Sequence, residues 1–104
     1  MKISASQTNG QSAIKVEGDL LITDVAEAKP KIVAAMAASS QIQLDLGELG
    51  QCDTAGIQLL LMACVSARAQ GKRIAVIAQS AAFRAAIERI GIPVGYFECS
   101  QGVH

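Results

Sequence analysis

The chain has 104 residues, nine basic and nine acidic side chains, and 51% hydrophobic residues. That length suits one domain with a single core. The neutral net charge and the three aromatic residues argue against a nucleic-acid-binding surface. The longest apolar run, Leu59–Val65, is too short to cross a membrane, and the first residues lack the apolar stretch of a secretory signal. We therefore expect a cytoplasmic protein that does not insert into membranes.

The cysteines and the histidine give little support for catalysis or metal binding. Cys52, Cys64 and Cys99 form no C-x-x-C pair, so the sequence indicates neither a zinc site nor a disulfide framework. The only histidine is the last residue, His104, far from any predicted active site. We expect Cys64 to be a core residue, and Cys52 is the one thiol for which a reactive role is an alternative. The sequence predicts no catalytic residue, no metal site and no cofactor.

The first segment has the pattern of a β-hairpin. Apolar residues alternate with polar ones in Lys2–Ala5 and again in Ala13–Glu17, which is typical of strands. Asn9-Gly10 between them is a strong turn signal. Gly18 is expected to end the second strand.

A helix is predicted after this hairpin, from Thr23-Asp24 to Ser39-Ser40. Asp24 is suited to begin it, with Glu27 three residues later as a partner in a capping box. Pro30 lacks a backbone donor and is expected to kink the helix or to separate a first turn. The expected buried stripe follows helical spacing: Val25, Ala28, Ile32, Ala35 and Met36.

The centre of the chain reads as a strand, a glycine-containing loop and a second helix. Apolar residues alternate in Ile42–Leu46, and a helix is predicted over Thr54–Gln70. Gly47 and Gly50 permit a sharp reversal in the loop between them. The predicted core stripe of the helix is Ile57, Leu60, Leu61, Cys64 and Val65.

The last segment predicts another strand and another helix. Arg73–Ala78 is rich in β-branched residues, and Ser80 is suited to cap a helix over Ala81–Ile90 that Gly91 ends. Val94–Glu98 is expected to add a short edge strand, and residues 99–104 to form a flexible tail. The order ββαβαβα predicts an α/β fold with a mixed sheet of four to five strands and helices mainly on one face.

These elements and one motif resemble the STAS domain family (sulfate transporter and anti-sigma factor antagonist). The motif is a strand of the type Leu44-Asp45-Leu46-Gly47, followed by a loop and by Asp53-Thr54-Ala55-Gly56 at the start of a leucine-rich helix. The resemblance extends from Ile3 to Ile92 and implies that residues 1–104 form a single STAS-like domain.

The resemblance implies a regulatory binding module rather than an enzyme. In partner-switching members of the family, the Ser or Thr after the motif Asp is phosphorylated by an ATPase-fold serine/threonine kinase, which is also the binding partner. Here that residue is Thr54, and the alternative is that Thr54 only caps the helix. Asp53 has the same two interpretations, and Gly56 allows close approach of either a strand or a partner.

The helix itself suggests a docking face. Leu59 and Met62 lie opposite the predicted core stripe, so we expect them to be exposed beside Thr54 unless a neighbouring helix covers them. The predicted partner-binding residues are Asp53, Thr54, Ala55, Gly56, Leu59 and Met62.

Other members of the family leave two alternative functions open. One is an accessory subunit that binds the ATPase subunit of an ABC-type phospholipid transporter, and the other is a STAS protein of a chemotaxis or signalling cluster. In each case the expected partner is a protein, either an ATPase-fold kinase, an anti-sigma factor or an ABC ATPase subunit. An enzyme is the weakest class, because no base is placed near Thr54.

Overall fold

A computed structural model describes residues 1–92 of the chain. Five strands and three helices alternate along it: β1 (Lys2–Thr8), β2 (Gln11–Leu20), α1 (Ile22–Ala37), β3 (Gln41–Leu46), β4 (Leu49–Cys52), α2 (Thr54–Ala69), β5 (Arg73–Gln79) and α3 (Ala81–Ile90). The predicted edge strand Val94–Glu98 and the predicted tail at residues 99–104 lie outside the described residues.

The sheet is mixed, as predicted. β1 and β2 form an antiparallel hairpin, in which Asn9 (φ 52°) and Gly10 (φ 82°) both take the left-handed conformation that a tight turn needs. β3 pairs in parallel with β2 on one side and with β5 on the other. The strand order β1-β2-β3-β5 therefore places the predicted strand Ile42–Leu46 inside the sheet.

The helices pack on one face of this sheet. Alternate strand residues such as Ile14, Val16, Leu44 and Val76 are buried, whereas their neighbours along each strand are at least partly exposed. Since successive side chains of a strand point to opposite faces, the buried set marks the face that the helices cover. The core also includes Phe83 of α3, which is fully buried.

β4 was not predicted. Leu49–Cys52 was expected to be loop, but it pairs in parallel with the end of β2, in the register Gly18↔Leu49 and Leu20↔Cys52. β2 reaches that position because it continues through Gly18, which was expected to end it and instead takes φ 82° at an irregularity in the pairing. β4 carries the chain directly to the start of α2.

α1 also differs from its prediction at the start and around the proline. The helix begins at Ile22, and the Asp24 carboxylate accepts the backbone N–H of Leu21 at 3.0 Å. Glu27 does not cap the helix and forms an ion pair with Lys31 at 3.2 Å. The helix is unbroken through Pro30, so the prediction of a separate first turn is wrong.

Side chains from other segments hold the end of α1. Its last turn contains no basic residue, but Lys72 Nζ donates to the carbonyl of Met36 at 2.7 Å. Ser12 Oγ donates to the carbonyl of Ala35 at 3.1 Å and accepts the hydroxyl of Ser39 at 2.6 Å. These donors satisfy carbonyls that have no partner within the helix. The end of α1 is thereby fixed to β2 and to the segment before β5.

α3 agrees with its prediction at both ends. Ser80 Oγ accepts the backbone N–H of Phe83 at 3.0 Å, and Gly91 ends the helix in the left-handed conformation at φ 90°. Phe83, Ala86 and Ile87 form the buried stripe, and Ile90 is partly buried against it.

Candidate functional site

The start of α2 is organised by Asp53. Its backbone is extended, its carbonyl accepts the N–H of Ile57 at 3.0 Å, and its Oδ1 accepts the N–H of Gly56 at 2.9 Å. These contacts satisfy donors that the first turn of a helix leaves unpaired. Asp53 is therefore the N-cap of α2, which was one of its two predicted roles.

The second carboxylate oxygen of Asp53 reaches another helix. Oδ2 accepts the backbone N–H of Ile22, the first residue of α1, at 2.8 Å. The N–H groups of Gly56 and Ile22 favour the ionised carboxylate and lower the pKa of Asp53 below its usual value. The carboxylate is ionised at neutral pH and both of its oxygens are occupied by the protein's own backbone.

Thr54 is left available by this arrangement. It is the first residue of α2 and is exposed, and its hydroxyl has no hydrogen-bond partner among residues 1–92. The alternative that Thr54 serves as the helix cap is wrong, because Asp53 fills that position. An exposed hydroxyl at the start of a helix is accessible to a modifying enzyme or to a docking partner.

Gly56 has an internal reason for being glycine. It is buried, and a Cβ atom there would collide with the carbonyl oxygen of Leu20 at the end of β2 and lie 2.9 Å from Cys52 Sγ. Of the two possibilities left open by the sequence, the structure supports close approach to a strand. Gly56 thus sets the distance between α2 and the sheet and offers no surface to a partner. Ala55 beside it is partly exposed.

The predicted exposure of Leu59 is wrong. Leu59 is only 4% exposed, because α1 packs against this side of α2, where Ile32, Met36 and Leu59 line a shared groove. Met62 lines the edge of the same groove and is 42% exposed, as expected. The core stripe of α2 is rotated relative to the prediction, and its buried members are Gly56, Ile57, Leu59, Leu60, Ala63, Cys64 and Ala67.

The rotation exposes a different set of residues. Val65 was predicted to be in the core but is 52% exposed, and Leu61 is only partly buried. Thr54, Gln58, Met62 and Val65 are all exposed and follow one another at helical spacing, and we call them the α2 strip. No charged side chain occurs in α2 before Arg68. The α2 strip is thus an uncharged, partly apolar surface that begins at Thr54.

A cleft of about 380 Å³ opens on another side of Asp53. It is lined by Asp53 and Cys52 on one side and by Ala82, Ala85 and Arg89 of α3 on the other. Burial, and to a lesser degree the neighbouring charge of Asp53, raise the pKa of Cys52 to about 12, against the opposing effect of Arg89. The thiol is protonated at neutral pH, which argues against a reactive role for Cys52.

Residues 1–92 contain neither a metal-binding cluster nor a membrane-spanning helix. No group of three or more potential ligands is arranged there to hold a metal ion. None of the three described helices has the length and apolar character needed to span a bilayer.

A family model described as "Mlab, STAS domain" matches residues 3–94 of the chain. No curated protein sequence matches the chain.

Several solved structures share its fold. The anti-sigma factor antagonist SpoIIAA in its unphosphorylated form has a TM-score of 0.69 and 21% identity, over 88% of this chain and 82% of that one. The phosphorylated form of the Bacillus cell fate determinant SpoIIAA also has a TM-score of 0.69 and 21% identity, over 93% and 88%. An anti-sigma factor antagonist from Mycobacterium paratuberculosis has a TM-score of 0.70 and 18% identity, over 88% and 78%. At these identities the comparison establishes the fold.

Proposed function

The chain belongs to the STAS domain family, and on that premise we propose that it is a non-enzymatic regulatory module that binds a protein partner and is switched by phosphorylation of Thr54. The observation that carries the proposal is the exposed hydroxyl of Thr54 at the start of the α2 strip, which has no hydrogen-bond partner in the described part of the chain. Because Asp53 already caps α2, the fold does not need this hydroxyl. We therefore infer that the Thr54 hydroxyl serves the regulatory function and not the stability of the fold.

The docking surface in this proposal is smaller than the sequence suggested. It consists of the α2 strip together with the partly exposed Ala55, while Gly56 and Leu59 support it from inside. Asp53 contributes by fixing the first turn. Medium-sized apolar side chains without charge, such as Met62 and Val65, suit burial against a partner, because no charge has to be removed from water.

The physical chemistry of the helix start explains why a phosphate would be compatible with the fold. A phosphate adds a charge of roughly −1.5 to −2 at neutral pH, and the N-terminus of a helix favours an anion. Structures of SpoIIAA with and without phosphate match this chain with the same TM-score of 0.69, so in that protein the fold accommodates phosphorylation.

The same phosphate would oppose docking. It would lie beside the ionised carboxylate of Asp53 and at one end of a surface that must lose its water on binding. Repulsion between like charges and the cost of desolvating the phosphate both weaken such a contact. Phosphorylation of Thr54 would therefore release the partner by a local electrostatic change.

We propose an ATPase-fold serine/threonine kinase or anti-sigma factor as the partner. In the phosphorylation step, Thr54 Oγ bonds to the γ-phosphorus of ATP as the bond from that phosphorus to the β–γ bridging oxygen breaks, and ADP leaves. The hydroxyl proton passes to a base that the kinase supplies. The chain is a substrate in this step and performs no catalysis. Since ATP is the phosphate donor, we place the protein in the cytoplasm.

The experiment incubates the protein with each ATPase-fold kinase of its source genome and with ATP, and locates the phosphate by mass spectrometry. We expect it on Thr54 and its loss in Thr54→Ala. Thr23→Ala is the matched control, since Thr23 is likewise exposed in the first turn of a helix, α1. Thr54→Glu is expected to weaken kinase binding at least tenfold, and Thr23→Glu to leave it unchanged. Undiminished phosphorylation of Thr54→Ala would overturn the assignment.

The second candidate function is the accessory subunit that binds an ABC ATPase subunit. The family model that matches residues 3–94 is described as "Mlab, STAS domain" and not as an anti-sigma factor antagonist. This description is the reason for keeping the second candidate. The α2 strip would serve the same purpose there, without phosphorylation. Co-purification from the source cells distinguishes the two, because a transporter ATPase in place of a kinase would support the second candidate.

A further inference from the structure

The feature that carries a further inference is the position of Arg89 in the cleft beside the start of α2. We propose that Arg89 is the cation that binds the phosphate group once Thr54 is phosphorylated. This inference rests on the proposed function, since it requires a phosphate on Thr54. It assigns a role in the phosphorylation switch to a residue of α3, which lies outside the motif.

The guanidinium group of Arg89 lies close to the segment that precedes α2. Arg89 Nη2 donates to the carbonyl oxygen of Cys52 at 3.5 Å, a long and weak hydrogen bond that nevertheless places the charge at the end of β4. Cys52 precedes Thr54 by two residues, which span at most ~7 Å even in extended chain. The long arginine side chain can exchange so weak a bond for a contact with a phosphate on Thr54.

No anion among residues 1–92 forms an ion pair with Arg89. Asp53 lines the same cleft, but its two oxygens accept the N–H groups of Gly56 and Ile22. Within residues 1–92 the only ion pair joins Lys31 and Glu27, so Arg89 and Asp53 do not form one. The positive charge of Arg89 is therefore available to a new anion. A phosphate presents three acceptor oxygens to the planar, multidentate donor group of arginine, a geometry that suits paired hydrogen bonds.

Thr54 lies outside the groove between α1 and α2. At 100° per residue, Thr54 is about 140° from Leu59 and about 180° from Ala63 around the helix axis. Both of those residues line the groove between α1 and α2. Thr54 does not line this groove, although Met62 at the edge of the groove is only about 80° from Thr54 around the axis. A phosphate on Thr54 would therefore lie outside the groove, on the exposed side of α2.

The consequence for the switch is electrostatic. Asp53 and Cys52 are the other titratable groups that line the cleft, and the Cys52 thiol is neutral at physiological pH. The negative charge of Asp53 favours a monoanionic phosphate, whereas Arg89 favours the dianion. With Arg89 in place, the phosphate on Thr54 is held in its dianionic form, which is the form that most strongly opposes docking. Arg89 is a positioning residue for the phosphate.

The experiment introduces phosphothreonine at position 54 by genetic encoding, which needs no kinase, and follows the phosphate by ³¹P NMR between pH 4 and 8. Arg89→Gln is expected to raise the second pKa of the phosphate by about 0.5, a threefold change in proton affinity. Arg89→Lys should keep part of the effect and also tests the contact if Arg89→Gln does not fold.

Arg84→Gln is the matched control. Arg84 is exposed on the same helix and donates to Gln79 Oε1 at 2.8 Å, outside the cleft, so its loss removes the same charge elsewhere. An equal change in Arg84→Gln and Arg89→Gln would show a general charge effect and overturn the proposal. No change in Arg89→Gln would overturn it as well. Binding of the phosphothreonine protein to the kinase is measured separately, so a failure of the proposed function is distinguished from a failure at Arg89.

Discussion

The carboxylate of Asp53 accepts the backbone N–H of Ile22, which is 31 residues earlier in the chain, at 2.8 Å. The same carboxylate caps α2 through Gly56. One side chain thus joins the first turns of two helices that are distant in sequence. The motif aspartate has a structural role that is separate from any contact with a partner.

We expect Asp53→Ala to lower the free energy of unfolding by about 2 kcal/mol, the combined effect of a lost helix cap and a lost charge-assisted hydrogen bond. The melting temperature should fall by about 10 °C for a domain of this size. Glu48→Ala is the control, because Glu48 is an exposed acid nearby whose side chain makes no hydrogen bond within residues 1–92. Equal losses in the two variants would contradict this role for Asp53.

The stability that Asp53 provides should depend on pH in a defined direction. Its pKa in the folded protein is below the usual value of about 3.9, so the contribution is fully present above that value and is lost as the pH falls through the lower, folded-state pKa. The difference in unfolding free energy between wild type and Asp53→Asn should be constant from about pH 5 to 8 and should shrink below about pH 4. Urea titrations at each pH measure it, and a difference that grows on acidification would refute the effect.

Gly56→Ala tests the close packing of α2 on the sheet. Helix propensity alone predicts a gain of up to about 1 kcal/mol for this change. Because the added methyl group would collide with the Leu20 carbonyl, we expect instead a loss of about 1–3 kcal/mol, measured by urea unfolding. The sign of the change in unfolding free energy distinguishes the two effects. Any stabilisation by Gly56→Ala would contradict the close packing of α2 on the sheet.

Leu59→Ala should mainly lower stability, whereas Met62→Ala should mainly weaken partner binding. Leu59 is buried under α1, so its truncation should cost about 2–5 kcal/mol of stability. Met62→Ala should change stability by no more than about 0.5 kcal/mol, because Met62 is 42% exposed at the edge of the groove, and should weaken partner binding. Thermal melts and a titration with the partner measure the two effects. Equal destabilisation would place Met62 in the core and remove it from the docking surface.

Strong local signals made much of the fold predictable from sequence. Asn9-Gly10 specifies its turn through backbone conformation, and Ser80 and Gly91 specify the ends of α3 through local hydrogen bonds. Each of these signals depends on a few neighbouring residues. Asp53 and Thr54 were likewise identified as the start of α2 and as the candidate site.

The features that sequence reasoning missed depend on contacts between distant segments. β4 exists because β2 continues past Gly18 and offers a parallel partner, and nothing within Leu49–Cys52 shows that. The core stripe of α2 was misplaced because its buried face includes Gly56, Ala63 and Ala67, whose small side chains give little periodic signal. The clue available was the spacing of three or four residues between the uncharged residues Thr54, Gln58, Met62 and Val65.

α1 is held from outside at both of its ends, at Ile22 by Asp53 and at Ala35 and Met36 by Ser12 and Lys72. A helix anchored in this way does not fray turn by turn, since each end is released only when a different segment moves. The hydrogen-bonded amides of α1 should therefore exchange with solvent as one cooperative group, together with β2 and the first turn of α2. The segment around Pro30, where a helix is intrinsically weakest, is stabilised by anchors in parts of the chain that are distant in sequence.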